Sequence, residues 1–185
     1  REWAGSLDVS SVTKAKYVVN TIAMLDFHAI DTSDLSKITF RTAKKAAAKV
    51  EKRRACSPEE FKRVLGVALD SLQRDFMLVS AYTGMRLEEV ARLKNENVNL
   101  SKGYVEVVDG KTSASNRAIP ISNKIAGILS DRKKGEYVFG ELTTHERTGN
   151  RGSLMSGRFT KARDKLGLPN TVVFHSLRKM FITKL

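Results

Sequence analysis

Three short segments carry side chains whose types and spacing could handle a phosphate. The first is Tyr82-Thr83-Gly84-Met85-Arg86-Leu87-Glu88-Glu89-Val90. Arg86 stands two residues past a glycine at the predicted start of a helix. Free N–H groups and the dipole make such a position attractive to anions, and a guanidinium adds a bidentate clamp. Glu89, about one turn on, is placed to hold that guanidinium. The second segment, Asp109-Gly110-Lys111-Thr112-Ser113, puts a lysine at a hairpin tip. The third is Phe174-His175-Ser176-Leu177-Arg178. On a helix His175 and Arg178 share a face, while Leu177 and Phe181 turn toward the core. Converging cations of this kind suit the stabilisation of charge on a reacting phosphoryl group. Taken singly, each segment also has an ordinary reading: an exposed helix arginine, a loop lysine, a surface His-x-x-Arg pair. The combination is what carries weight.

Other chemistries find no support. His28, His145 and His175 lack partners at ligand spacing and Cys56 is alone, so no zinc pattern exists. His28 lies among apolar residues and reads as a core-edge histidine. A Walker-type glycine loop and a Gly-x-Ser-x-Gly elbow are both missing. The sequence therefore predicts neither a metal nor a cofactor. A single cysteine excludes an internal disulfide framework and fits a reducing compartment.

The charge balance points to a partner. The chain has 185 residues with 33 Lys and Arg against 20 Asp and Glu, a formal net charge of +13, and 41% hydrophobic residues. That hydrophobic content is enough to build a core at this length. The excess is concentrated. Residues 41–54 hold seven cations against Glu51, and residues 147–185 hold nine against Asp164. Two basic segments flanking an acidic, well-patterned middle suggest a surface for double-stranded DNA. Lys44, Lys45, Arg53, Arg54, Arg117, Arg158 and Lys161 are the candidate contacts. A solvated charge run in 41–54, an anionic membrane surface and an acidic protein are the competing readings. No apolar run approaches the roughly 20 residues of a membrane helix, and no signal peptide is visible. The expectation is a soluble, cytoplasmic protein.

The elements that must position these residues are mainly helical. Residues 11–30 read as a helix, 31–40 as turns, and 41–54 as a linker. Ser57, Pro58 and Glu60 form a helix-start signature. A stripe follows: Phe61, Val64, Leu65, Ala68, Leu69 and Leu72. Residues 75–82 are apolar nearly all round and predict a buried helix broken at Thr83-Gly84. Leu87, Val90, Ala91 and Leu93 mark another. Tyr104–Val108 and Arg117–Ile121 read as paired strands around a 109–116 loop, with Pro120 at a sheet edge. Helices are predicted from Ser122, over 154–166 with Leu154, Phe159, Ala162 and Leu166 inward, and from His175 to the end. Residues 137–139 read as a short extended piece, and 141–152 as a loop. The fold class is mixed α+β, mainly α-helical with a small antiparallel sheet.

In order and spacing, Thr83-Gly84-Met85-Arg86-Leu87-Glu88-Glu89, Gly110-Lys111-Thr112 with Arg117-Ala118-Ile119-Pro120-Ile121, and His175-Ser176-Leu177-Arg178 resemble the tyrosine recombinase, or phage integrase, family. The resemblance implies that family's DNA breaking-rejoining catalytic fold over residues 56–185, incomplete at its C-terminus. Residues 1–40 would be the last part of a helical core-binding domain and 41–55 the basic interdomain linker. It also implies a metal-free reaction in which a tyrosine attacks a DNA phosphate, leaving a 3′-phosphotyrosyl link and a free 5′-hydroxyl. Arg86 and Arg178 would clamp the non-bridging oxygens, Lys111 would protonate the leaving oxygen, His175 would assist, and Glu89 would orient Arg86. The family's nucleophile lies beyond the His-x-x-Arg motif, and Tyr17, Tyr82, Tyr104 and Tyr137 all precede it. The expectation is thus a fragment without its nucleophile, monomeric in solution, of a parent that acts as a homotetramer on specific recombination sites. A non-catalytic basic DNA-binding module is the alternative, and a protein-interaction or membrane-surface domain ranks below it.

Overall fold

The computed structural model describes residues 17, 20, 52–108 and 116–183. The chain divides into two units, Arg1–Glu51 and Lys52–Leu185. In the first, Tyr17 and Asn20 are described, and both are helical. The readings made for the rest of residues 1–51, including Lys44, Lys45 and His28, lie outside the described residues, as does Lys111 in the 109–115 segment.

The second unit begins with an extended stretch tied to its far end. Arg54 N–H donates to the Thr171 carbonyl and Cys56 N–H to the Ser176 carbonyl, both at 3.2 Å. Helix α1 (Pro58–Gly66) starts at a capping box in which Ser57 and Glu60 satisfy each other's backbone N–H groups. Phe61 and Val64 are its buried residues. Here the structure corrects the sequence reading, which carried one apolar stripe through to Leu72. The helix stops at Gly66, and Leu69 is 71% exposed. Asp70 opens a separate helix, α2 (Ser71–Thr83), by accepting the Gln73 N–H at 2.8 Å. A carboxylate cap satisfies an otherwise orphaned donor, and this local bond outweighs continuation of the stripe.

Helix α2 is the central element. Phe76, Met77, Val79 and Ala81 are buried, and the buried hydroxyls of Ser80 and Thr83 donate to the carbonyls of Phe76 and Val79. It ends at Gly84, whose φ of 61° is left-handed. The short helix α3 (Leu87–Ala91) follows. A three-stranded antiparallel sheet then forms from β1 (Val98–Asn99), β2 (Tyr104–Val107) and β3 (Arg117–Pro120), in the order β1-β2-β3. The register pairs Val105 with Ile119 and Val107 with Arg117. Val105, Val107 and Ile119 face the core, and Pro120 sits on an edge strand where its missing N–H costs no ladder bond. The two-residue β1 is too short to show a period-2 pattern and was not foreseen. The piece at 137–139 forms no named strand but makes an isolated bridge between Lys94 and Tyr137.

Helices α4 (Asn123–Asp131), α5 (Ser153–Lys165) and α6 (His175–Thr183) complete the unit. In α5 it is Met155, not Leu154, that is buried with Phe159 and Ala162; Leu154 is half exposed. Phe76, Phe139, Phe159 and Phe174 form an aromatic cluster with ring centroids 4.9–5.6 Å apart. This cluster is the floor on which α6 begins, so packing fixes the position of His175, the residue after Phe174.

Candidate phosphate-binding site

The site is assembled where α2 ends, α3 begins and α6 starts. Gly84 reverses the chain, and its carbonyl accepts a hydrogen bond from the Arg178 guanidinium. Arg86 caps α3 with extended backbone. Its N–H donates to Glu89 Oε2 at 2.7 Å, and its guanidinium donates to Glu89 Oε1, also at 2.7 Å. Arg117, the first residue of β3, reaches the same carboxylate: Nη2 lies 2.6 Å from Oε2 and Nη1 3.3 Å from Oε1. Glu89 is the most buried member of this group, its side chain 10% exposed against 58% for Arg86 and 30% for Arg117. Burial alone would raise its pKa, but the hydrogen bonds from Arg117 and from the Arg86 backbone and side chain outweigh that and hold it down at about 2.

His175 and Arg178 project from the first turn of α6. Ser176 locks that turn, donating its N–H to the Val173 carbonyl at 2.8 Å while its hydroxyl oxygen accepts the Val173 N–H at 3.0 Å. A cavity of about 270 Å³ opens beside them, lined by Arg53, Leu87, Ser156, Thr160, His175 and Arg178 among others. Its electrostatics are strongly positive. Desolvation lowers the pKa of Arg178, and Arg86 and Arg117 lower it further, with Glu89 opposing. His175 is likewise lowered, by desolvation and then by Arg178, Lys179, Arg53 and Arg86. At neutral pH the imidazole is therefore neutral while the guanidiniums remain charged.

A second layer fixes this arrangement. Glu88 accepts the N–H groups of Arg151 at 3.0 Å and Gly152 at 2.8 Å, so its charge sits at the start of α5. A Cβ on Gly152 would lie 2.6 Å from Leu87 Cγ. The Arg151 guanidinium stacks 4.1 Å from the Tyr137 ring centroid and donates to the Ala91 carbonyl at 3.1 Å. Glu88, Arg151 and Gly152 escape sequence reasoning. Their partners lie about 60 residues away, and only the adjacency of two glutamates hinted that they would divide between two tasks.

A family model described as the phage integrase family matches residues 57–185. The chain belongs to the phage integrase family. A tyrosine recombinase of Pseudothermotoga lettingae is 26% identical over 137 residues, which are 69% of this chain and 45% of that protein. Tyrosine recombinase XerA of Pyrococcus horikoshii is 31% identical over 136 residues, 70% of this chain and 46% of that protein. The chain thus spans about half the length of these relatives. Among solved structures, the Tn1549 transposon integrase in complex with circular intermediate DNA superimposes with a TM-score of 0.71 at 17% identity, covering 100% of this chain and 71% of that one. A lambda integrase tetramer bound to a Holliday junction gives a TM-score of 0.62 at 22% identity, covering 92% and 53%. The fold is that of tyrosine recombinase catalytic domains.

Within this integrase-family unit, Arg86, Glu89, Arg117, His175 and Arg178 are brought together, with Arg53 on the cavity wall. Arg54 is engaged elsewhere, with Glu60 at 2.7 Å, and Arg158 with Asp70 at 2.8 Å. Lys161 is exposed on α5. Among the described residues no tyrosine lines the cavity, no cluster of three metal-ligating side chains occurs, and no helix is long and apolar enough to cross a membrane. The lowered pKa of His175 carries a sign. A bound phosphate would favour the imidazolium, so binding must take up a proton. Affinity for an added phosphodiester should therefore rise as pH falls from neutral toward the lowered pKa, and His175→Gln should flatten that rise in a fluorescence-anisotropy titration with a labelled oligonucleotide.

Proposed function

We propose that residues 52–185 hold a DNA phosphate in a recombinase that cleaves and rejoins strands. The observation that carries this reading is three guanidiniums, Arg86, Arg117 and Arg178, around one carboxylate, Glu89, beside a cavity that His175 and Arg53 line. The local charge excess is what a phosphate would neutralise. Arg86 and Arg178 would bind the non-bridging oxygens, stabilising the charge that grows there in the transition state. His175 would add a hydrogen bond. In the reaction proposed, a tyrosine hydroxyl attacks phosphorus and forms a 3′-phosphotyrosyl bond. The leaving 5′-oxygen takes its proton from Lys111, a general-acid role worth about 10²–10⁴-fold. None of Tyr17, Tyr82, Tyr104 and Tyr137 follows the His-x-x-Arg motif, and we assign the nucleophile to none of them. Residues 1–40 would be part of a helical core-binding domain and 41–55 a basic linker, with Lys44, Lys45, Arg53 and Lys161 steering DNA. The whole recombinase would work as a homotetramer on paired sites in the cytoplasm, while residues 1–185 alone would be monomeric.

The binding half is tested by titrating a mixed-sequence duplex at several salt concentrations. The log of the association constant should fall by about 0.9 per neutralised phosphate for each unit of log salt, and Arg178→Ala should lower that slope by about one contact. A flat salt response would sink the proposal. The cleavage half is tested by reading the gene past the Leu185 codon. An in-frame tyrosine is expected, and its absence would leave a DNA-binding module without strand transfer.

A further inference from the structure

Glu89 uses its whole hydrogen-bonding capacity. Oε1 accepts from the guanidiniums of Arg86 and Arg117, and Oε2 accepts from the Arg86 N–H and the Arg117 guanidinium. An ionised carboxylate has about four acceptor sites, and these four donors fill them. The donors differ in kind. Arg117 grips both oxygens as a fork, from the first residue of an edge strand that is paired through Val107 to the rest of the sheet. Arg86 has a single guanidinium contact, on a side chain 58% exposed. The orientation of the more exposed guanidinium therefore depends on a carboxylate whose own rotamer is set by the less exposed one.

From this we infer that Arg117 is a positioning residue rather than a DNA ligand: it fixes Glu89, and through Glu89 it aims the Arg86 guanidinium at the phosphate. A bidentate guanidinium constrains both the plane and the angle of a carboxylate, whereas an ammonium supplies a point charge and leaves both free. The inference rests on the phosphate-binding reading of Arg86, but its geometry can be checked without DNA.

The test uses the 185-residue chain with two readouts. The first is the ¹H–¹⁵N signal of Arg86 Nε–Hε, assigned by its loss in Arg86→Lys. In Arg117→Ala this signal should move toward the position of a free, solvent-exchanging arginine, and Arg117→Lys should not restore it. The second is a double-mutant cycle on duplex binding. If Arg117 acts through Arg86, then Arg86→Ala, Arg117→Ala and the double variant should each lower the salt slope by about 0.9, one phosphate contact. If Arg117 binds DNA itself, the double variant should lose about 1.8, and that result overturns the inference. An unmoved Arg86 signal in Arg117→Ala, or full restoration by Arg117→Lys, also overturns it. Should Arg117→Ala unfold the chain, Arg117→Gln in the Glu89→Gln background supplies the same cycle. There the inference requires that Arg117 no longer matter. Absence of salt-dependent binding in the wild-type chain would instead refute the functional reading and leave the signal measurement standing.

Discussion

Gly84→Ala is expected to lower the stability of the second unit by about 2–4 kcal/mol, read as a drop in the urea midpoint. Two separate causes add. Gly84 has a φ of +61°, a conformation that costs a side-chain-bearing residue about 1–2 kcal/mol. An added Cβ would also run into the Phe181 ring, 2.8 Å from its Cγ, so the ring on α6 would have to move. Gly103 provides the control. Its φ is +73°, but a Cβ there would meet nothing within 4 Å, so Gly103→Ala carries the backbone cost alone. The difference between the two variants isolates the contact of α2 with α6. Equal midpoints would show that Phe181 swings clear. The same substitution reaches the site, because the Gly84 carbonyl holds the Arg178 guanidinium. Surviving folded protein should therefore bind duplex more weakly than Gly103→Ala does.

The pattern of what could be read in the sequence follows from the range of each interaction. Ser57, Pro58 and Glu60 announced α1, and the apolar run at 75–82 announced α2, because capping and burial are local signals. The same locality misled at 67–70, where apolar spacing continued but Asp70 started a new helix. Arg86, Glu89, His175 and Arg178 stood out because residues within one helical turn meet each other regardless of the fold. Arg117 was named as a cation, yet its pairing with Glu89 spans 28 positions and depends on the β2–β3 register. Glu88, Arg151 and Gly152 carried no local signal, since they act by docking α5 against α3. The family resemblance named Arg86, Lys111, His175 and Arg178, with Glu89 orienting Arg86, but not the part of Arg117 in the hydrogen-bond network around Arg86.

Glu89→Ala is expected to destabilise the unit by about 2–3 kcal/mol. Removing one partner of a buried ion pair costs about 3–5 kcal/mol, and the exposure of Arg86 screens part of that here. The acid dependence should identify the cause. The folded carboxyl titrates near 2 against an ordinary value of 4.5, so its stabilising effect is complete above 4.5 and fades as pH falls from there toward 2. Glu60, held near 2 first by its hydrogen bonds from Arg54, contributes over the same window. Urea midpoints of the wild type should therefore drop between these limits, and Glu89→Gln should flatten the drop while Glu60→Gln removes a separate share. An unchanged acid profile in Glu89→Gln would show that the carboxylate does not stabilise the fold. The charge balance gives the variant a further property. With Glu89 neutral, the Arg86 guanidinium loses the ion pair that aims it. A bound duplex then lacks that aimed contact, so the rise in melting temperature on adding DNA should be smaller for Glu89→Gln than for the wild type.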